Sequence, residues 1–379
     1  MTRKERGGGA QVQRRWIAGL LVLLALTAAG CDQQEEIKIG LAINLSGRGG
    51  AAGEHIRDGA LLAVEEINDQ GGVLGRPLRL LVRDDQNSDA GIKKAEEALL
   101  AEQVVAVIGH SYSSNTLKAY PLVTGNDTLM ITAYTATTKL SGKDDLFFRT
   151  AIDCVMYGQK TAALFRQKGV TSVAFLMDMS NPAFVLDYLA QVKKNFQGDI
   201  TTVAFESRDK VDWPKLSQEL LAVSPDAVMM LTESSMTGVA VQYVRNQGFS
   251  GPVIATIWTQ SPELIRIGGP AAEGMSLVTF INPENRRADY LRFADTFQEK
   301  FQKPASARAS RAYEMVYILA EGLRQAEKVD AYALKKALLA TEFESIMGRL
   351  RFDRYGDVVR PVYEVLVRDG RFVNGGEIP

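Results

Sequence analysis

Residues Ile37–Asn44 read IKIGLAIN, Gly53–Asn68 read GEHIRDGALLAVEEIN, Gly71–Pro77 read GGVLGRP, and Leu78–Val82 read LRLLV. The first run is apolar and of strand length. The second places Ile56, Ala60, Ala63, Val64 and Ile67 on one face of a 3.6-residue period, as an amphipathic helix does. The third is a Gly/Pro turn cluster, and the fourth returns to strand character. Strand, helix, turn, strand is a βαβ unit, whose two strands lie parallel and whose crossover is right-handed.

The same rhythm continues outward from this unit. Ala90–Leu100 reads as a helix, Val104–Ile108 as a buried strand, Ser114–Val123 as a helix and Leu129–Thr132 as a strand. It restarts after Arg149-Thr150-Ala151. Helices are predicted over Asp153–Lys168, Ala183–Lys194, Trp213–Ala222 and Met236–Gln247, alternating with strands over Ser172–Met177, Ile200–Phe205, Ala227–Leu231 and Pro252–Thr256. Two more helices follow, Ala288–Phe301 and Ala307–Gln325. Val362–Val367 then alternates and turns at Asp369-Gly370 into Arg371–Val373, a hairpin signal. Two successive parallel αβ runs predict two lobes. In such sheets a ligand binds beyond the carboxyl ends of the strands, in a crevice between parts.

The bulk composition excludes several functions. The chain has 379 residues, 46% hydrophobic and 23% charged, with a net charge of -1. That balance leaves no basic face for nucleic acid. Two cysteines and two histidines supply neither a disulfide framework nor a Cys/His zinc site. The chain has no G-x-S-x-G, no G-x-x-x-x-G-K-[ST] and no H-E-x-x-H, so no common catalytic motif is present. Gly47-Arg48-Gly49-Gly50 lacks the G-x-G-x-x-G spacing of a dinucleotide turn and reads as a cleft loop.

The N-terminus carries an export signal. Arg3, Lys4, Arg6, Arg14 and Arg15 precede the apolar run Trp16–Ala29, which is short for a ~30 Å hydrocarbon layer. A basic flank, a short apolar stretch and small residues describe a secretory signal over residues 1–30. Thr27-Ala28-Ala29-Gly30-Cys31 resembles a bacterial lipobox, with Ala28 standing where Leu is usual. Lipid on Cys31 would tether the chain to a membrane; a plain secreted protein with a leftover thiol is the alternative. Residues 31–36 are then anchor and polar spacer.

Beyond these patterns, an ordered series of short motifs stands out. It runs through Asn44-Leu45-Ser46-Gly47, Asp58-Gly59-Ala60, Glu65-Glu66-Ile67-Asn68, Gly71 to Leu78, Asp84 to Asp89 and Ala106 to His110. It continues with Phe148-Arg149-Thr150, Gly238 to Gly248 and Ala271 to Met275. From Ile37 to Val373 the chain resembles the branched-chain amino acid binding protein family, the periplasmic components of ABC importers. The resemblance implies an α/β chain with the type I periplasmic binding fold: two Rossmann-like lobes joined by three hinge crossovers, closing on ligand. Crossovers near Ala151, Thr279–Asn282 and Phe352 would put residues 37–151 and 280–351 in the N-terminal lobe. Residues 152–279 and 352–379 would form the C-terminal lobe. The resemblance further implies a monomer without catalytic residues, cofactor or metal. Such a chain captures a small polar or carboxylate-bearing solute, an amino acid or an organic or aromatic acid, and presents it to a membrane permease. A sensory binding subunit would need the same fold and anchor.

Candidate site residues follow the strand ends. Ser111, Tyr112 and Ser113 lie between strand Val104–Ile108 and the next helix. A Ser there suits an N-cap, and a helix N-terminus also suits a carboxylate; in the family the Ser matching Ser113 holds the ligand carboxylate. After Leu129–Thr132, the resemblance places a Thr hydroxyl against ligand where this chain has Ala136, so Thr135 or Thr137 would substitute. Tyr134 is placed to wall the ligand with its ring. The acid that holds the ammonium in the family is replaced here by Ile257 or Trp258. Glu233 would supply the charge or else be a solvated loop acid. The family's Tyr-Gly after Ser172–Met177 is replaced by Asn181-Pro182-Ala183. An unpaired buried ammonium is costly, so these departures point to a small carboxylate or aromatic acid, stacked on Trp258 and held near Ser113. Cys154 and His110 are expected in buried structural roles.

Overall fold

The computed structural model describes residues 35–379 except Arg48. Residues 1–30, read above as an export signal, Cys31 and residues 32–34 lie outside the described residues.

Two sheets organise the chain, the first wholly parallel and the second mixed. The first contains β1 (Ile37–Ile43), β2 (Leu78–Asp84), β3 (Ala106–Gly109), β4 (Leu129–Thr132) and β5 (Phe147–Arg149), in the order β2-β1-β3-β4-β5. Every pairing within it is parallel, as the alternation with helices α1 (Gly50–Asp69), α2 (Asp89–Ala101) and α3 (Ser113–Thr124) requires. The second sheet holds β6 (Ser172–Asp178), β7 (Asp199–Phe205), β8 (Ala227–Leu231), β9 (Val253–Thr256) and β10 (Ser276–Thr279). Its helices are α4 (Cys154–Gln167), α5 (Pro182–Asn195), α6 (Trp213–Leu221), α7 (Ser234–Asn246) and α8 (Pro262–Gly268).

After β10 the chain returns to the first sheet's layers as α9 (Ala288–Phe301), α10 (Ala307–Gln325) and α11 (Ala331–Ala340), then a small hairpin of β11 (Glu342–Ser345) and β12 (Gly348–Arg351). It crosses back to add β13 (Tyr363–Arg368) antiparallel to β10 and β14 (Arg371–Glu377) at the edge of the second sheet. The predicted hairpin at Asp369-Gly370 is therefore present, with both residues at positive φ. The strands β5, β10, β11 and β12, each three or four residues long, were not predicted, nor were helices α8 and α11.

The long return helix α10 is buried against α1. Ala309, Ala312, Met315, Val316 and Leu319 share one apolar core with Ile56, Ala60, Ala63 and Ile67. Contact is close because Gly59 has no side chain: a Cβ there would stand 2.2 Å from the Ala309 carbonyl oxygen. Fully burying such aliphatic side chains stabilises by about 1.5–3 kcal/mol each. This packing fixes the start of α10, where Ser306 caps the helix by accepting the Ala309 N–H.

Candidate functional site

Five aromatic rings face one cavity between the carboxyl ends of the two sheets. Tyr134 follows β4, Trp258 follows β9, Phe280 follows β10, and Tyr157 and Phe184 come from α4 and α5. The cavity, taken with the space that opens from it to solvent, is about 400 Å³. It is narrow, with walls set by rings. Phe184 meets Trp258 edge to face at 5.9 Å and Tyr157 at 6.4 Å, the geometry that the ring quadrupole favours.

Two arginines in the first two turns of α10 also line it. Arg308 and Arg311 are three residues apart, so they share a helix face, and they are only 5% and 3% exposed. Arg308 donates from Nη2 to the Trp258 carbonyl at 3.0 Å. Arg311 donates from Nη1 to the Ala133 carbonyl at 2.9 Å, and its guanidinium lies 4.5 Å from the centroid of the Tyr134 ring. Burial lowers the Arg311 pKa to about 10, which leaves it charged at neutral pH.

Among the described residues, no carboxylate forms an ion pair with either guanidinium, and none lines the cavity. The buried acid Glu314 is engaged by Arg360 at 2.7 Å and by the Ser345 hydroxyl. Around the same space, Ser111 Oγ, Tyr157 Oη, Trp258 Nε1 and Arg308 Nε are buried without a hydrogen-bond partner. Buried cations and orphaned donors carry a desolvation cost until something accepts from them. An apolar body bearing an anionic, acceptor-rich end would satisfy all of these groups together.

Residues 36–371 match the model of a periplasmic binding protein family. The chain belongs to this periplasmic binding protein family. Its fold is therefore the type I periplasmic binding fold, and its relatives are transport binding proteins, not enzymes. A leucine-, isoleucine-, valine-, threonine- and alanine-binding protein of Pseudomonas aeruginosa is 27% identical over 333 residues, covering 86% of this chain and 87% of the relative. A leucine-binding protein from Thermotoga maritima superposes with TM-score 0.81 at 22% identity, over 90% of this chain and 98% of that one. A solute-binding protein from R. palustris, in complex with benzoate, gives TM-score 0.81 at 18% identity, over 91% and 96%.

Within this periplasmic binding protein, the residues singled out from sequence separate into two groups. Ser111, Tyr134 and Trp258 line the cavity. Tyr112 stands behind it, edge to face with Trp258 at 5.7 Å, and burial raises its phenol pKa. Ser113 is not an N-cap: that position is Tyr112, with no side-chain cap bond, and α3 begins one residue earlier than expected. The fully buried Ser113 hydroxyl instead accepts the Ala136 N–H at 3.2 Å. Thr135 pairs with Thr116 at 2.6 Å, and Thr137 caps the 3₁₀ turn Thr138–Leu140. Neither threonine lines the cavity. Glu233, partly buried, does not line the cavity. It caps α7, accepting the Ser235 and Met236 N–H groups at 3.0 Å.

The sequence reading missed Arg308, Arg311, Tyr157, Phe184 and Phe280. One signal was available: Arg308 and Arg311 interrupt a helix whose neighbouring positions Ala309, Ala312, Met315 and Val316 are apolar. Charged residues in a buried stretch are rare unless paired. Cys154 is buried in the second sheet's core, which pushes its thiol pKa well up. His110 is wholly buried, with Nδ1 2.6 Å from Asp85 and Nε2 2.8 Å from Glu96.

Proposed function

We propose that this chain is the extracytoplasmic solute-binding protein of an ABC importer, and that its solute is a small organic anion: a carboxylate on an aromatic or apolar body. The observation that carries this is the pair Arg308 and Arg311, buried on a cavity wall that no described carboxylate lines. An α-amino acid would bring an ammonium into a cavity lined by two guanidinium groups and no acid, an arrangement that like-charge repulsion and desolvation both disfavour. The aromatic walls suit a ring in the same space. The benzoate complex of the R. palustris protein, which has the same fold, supports an aromatic acid as a solute this architecture can hold.

On this reading the two lobes, residues 37–151 with 280–351 and residues 152–279 with 352–379, close on the solute by a hinge motion at the three crossovers. The lipobox-like residues before Cys31 support a lipid tether that keeps the receptor beside its permease. A thermal-shift series tests the solute class. Benzoate and its hydroxylated and aliphatic counterparts are expected to raise the melting temperature; at a hundredfold excess over Kd the gain is about 2.7 kcal/mol. Stabilisation by leucine or valine, with none from the acids, would overturn the reading.

A further inference from the structure

Asn181, just before α5, and Asp187, within it, make polar contacts that the cavity does not explain. Asn181 precedes α5 on the second-sheet side. Its Oδ1 accepts both the N–H and the hydroxyl of Ser114, at 3.1 Å each, and Ser114 Oγ in turn accepts the Ala183 N–H at 3.1 Å. Ser114 belongs to α3, on the first-sheet side. One turn further along α5, Asp187 Oδ2 accepts from Thr137 Oγ1 at 3.1 Å, from Thr138 Oγ1 at 2.8 Å and from the Thr138 N–H. Asp187 also takes a bond from Gln191 Nε2 at 3.1 Å, which steadies the carboxylate on its own helix.

These are six hydrogen bonds between segments that belong to different sheets, and none needs a solute atom. Asp187 and Ser114 do not line the inner cavity. They line a separate outer groove, together with Thr138, Pro182 and Ala183. From this we infer that Ser114–Asn181 and Thr137/Thr138–Asp187 form a latch: they hold the two sides together directly, and make Asp187 an affinity-determining residue that never touches the solute. The inference rests on the binding-protein reading, in which solute enters an open form and is trapped by closure.

Bonds present only in the closed form shift the open–closed equilibrium toward it whether or not solute is bound. Opening must break the charged Asp187 set and the Asn181 set together, so solute escape is slowed while entry into the open form is not. The solute-free protein should hold a closed population on the order of a tenth. Asp187→Ala should cut that population at least fivefold, leave the association rate for benzoate within about threefold, and raise its dissociation rate about tenfold.

The test is an inter-lobe distance distribution from a spin-label or fluorophore pair on the solute-free protein, with stopped-flow benzoate kinetics alongside. Ser114→Ala, which removes a hydroxyl from the other half of the latch, is the second variant should Asp187→Ala fold poorly. A smaller closed population in either folded variant supports the latch, even if benzoate does not bind and the solute class is wrong. Unchanged distance distributions in both variants overturn the latch, even if benzoate binds well. A slower association rate with unchanged dissociation would equally overturn it.

Discussion

Arg308 donates a hydrogen bond to the carbonyl oxygen of Trp258 at 3.0 Å. That one contact ties the first turn of α10, a helix of the first sheet's layers, to the loop that follows β9 in the second sheet. It also orients a guanidinium whose Nε has no partner toward the cavity wall. Replacing it with Gln should therefore weaken benzoate binding by the worth of a charged hydrogen bond, about 1.5–3 kcal/mol, or roughly ten- to a hundredfold in Kd. The solute-free protein should unfold at the same temperature or higher, because the variant no longer buries an unpaired charge. Calorimetric titration beside a melting curve reads both, and an unchanged Kd would count against the assignment.

Ser113→Ala leaves the buried Ala136 N–H without its acceptor. The expected cost is about 1–3 kcal/mol of folding stability, as for any buried donor so orphaned. Urea unfolding measures it. Because Ala136 lines the cavity, a secondary loss of affinity should be smaller than that from Arg308→Gln.

The buried His110 supplies a pH dependence whose sign can be worked out. Burial works against the charged ring, but the hydrogen bonds and charges of Asp85 and Glu96 overcome it, raising the pKa from 6.5 to about 9. A group whose folded pKa lies above its unfolded one contributes stability that is complete below about pH 6.5 and is lost as pH rises through about 9. At ~1.4 kcal/mol per unit the contribution is on the order of 3 kcal/mol. Wild type should lose stability between pH 7 and 10 more steeply than His110→Gln in chemical denaturation. Parallel curves for the two proteins would refute the ion triad.

Gly59→Ala puts a methyl group 2.2 Å from the Ala309 carbonyl oxygen. Helices α1 and α10 would have to separate, at a cost of about 1–3 kcal/mol for overpacking. Since α10 carries Arg308 and Arg311, benzoate affinity should fall with stability, a coupling that melting and titration on the same variant would show.

How much of this was legible in the residues depends on distance along the chain. The parallel strands announced themselves because Ile56, Ala60, Ala63 and Ile67, and their counterparts in other segments, keep a local 3.6-residue period next to apolar runs. Ser111, Tyr134 and Trp258 were legible for a related reason: each directly follows a strand, and strand ends are where such sheets bind. Arg308 and Arg311 were not, because their place beside Tyr134 and Trp258 exists only after α10 has crossed back to pack on α1. No spacing in the sequence encodes that return. Ser113 and Glu233 show where that reasoning stops. Polar side chains at helix starts serve backbone groups as readily as ligands, and only coordinates separate the two uses.

Cys154 lies wholly inside the second sheet's core, its thiol held protonated by burial. Thiol reagents react through the thiolate, so this residue should stay silent toward maleimides in the folded protein. In a form that begins after Cys31 the molecule is then chemically blank to such labels. A single cysteine introduced on each side of the cavity would then report any relative movement with no background to subtract, making the chain a ready frame for an optical solute sensor.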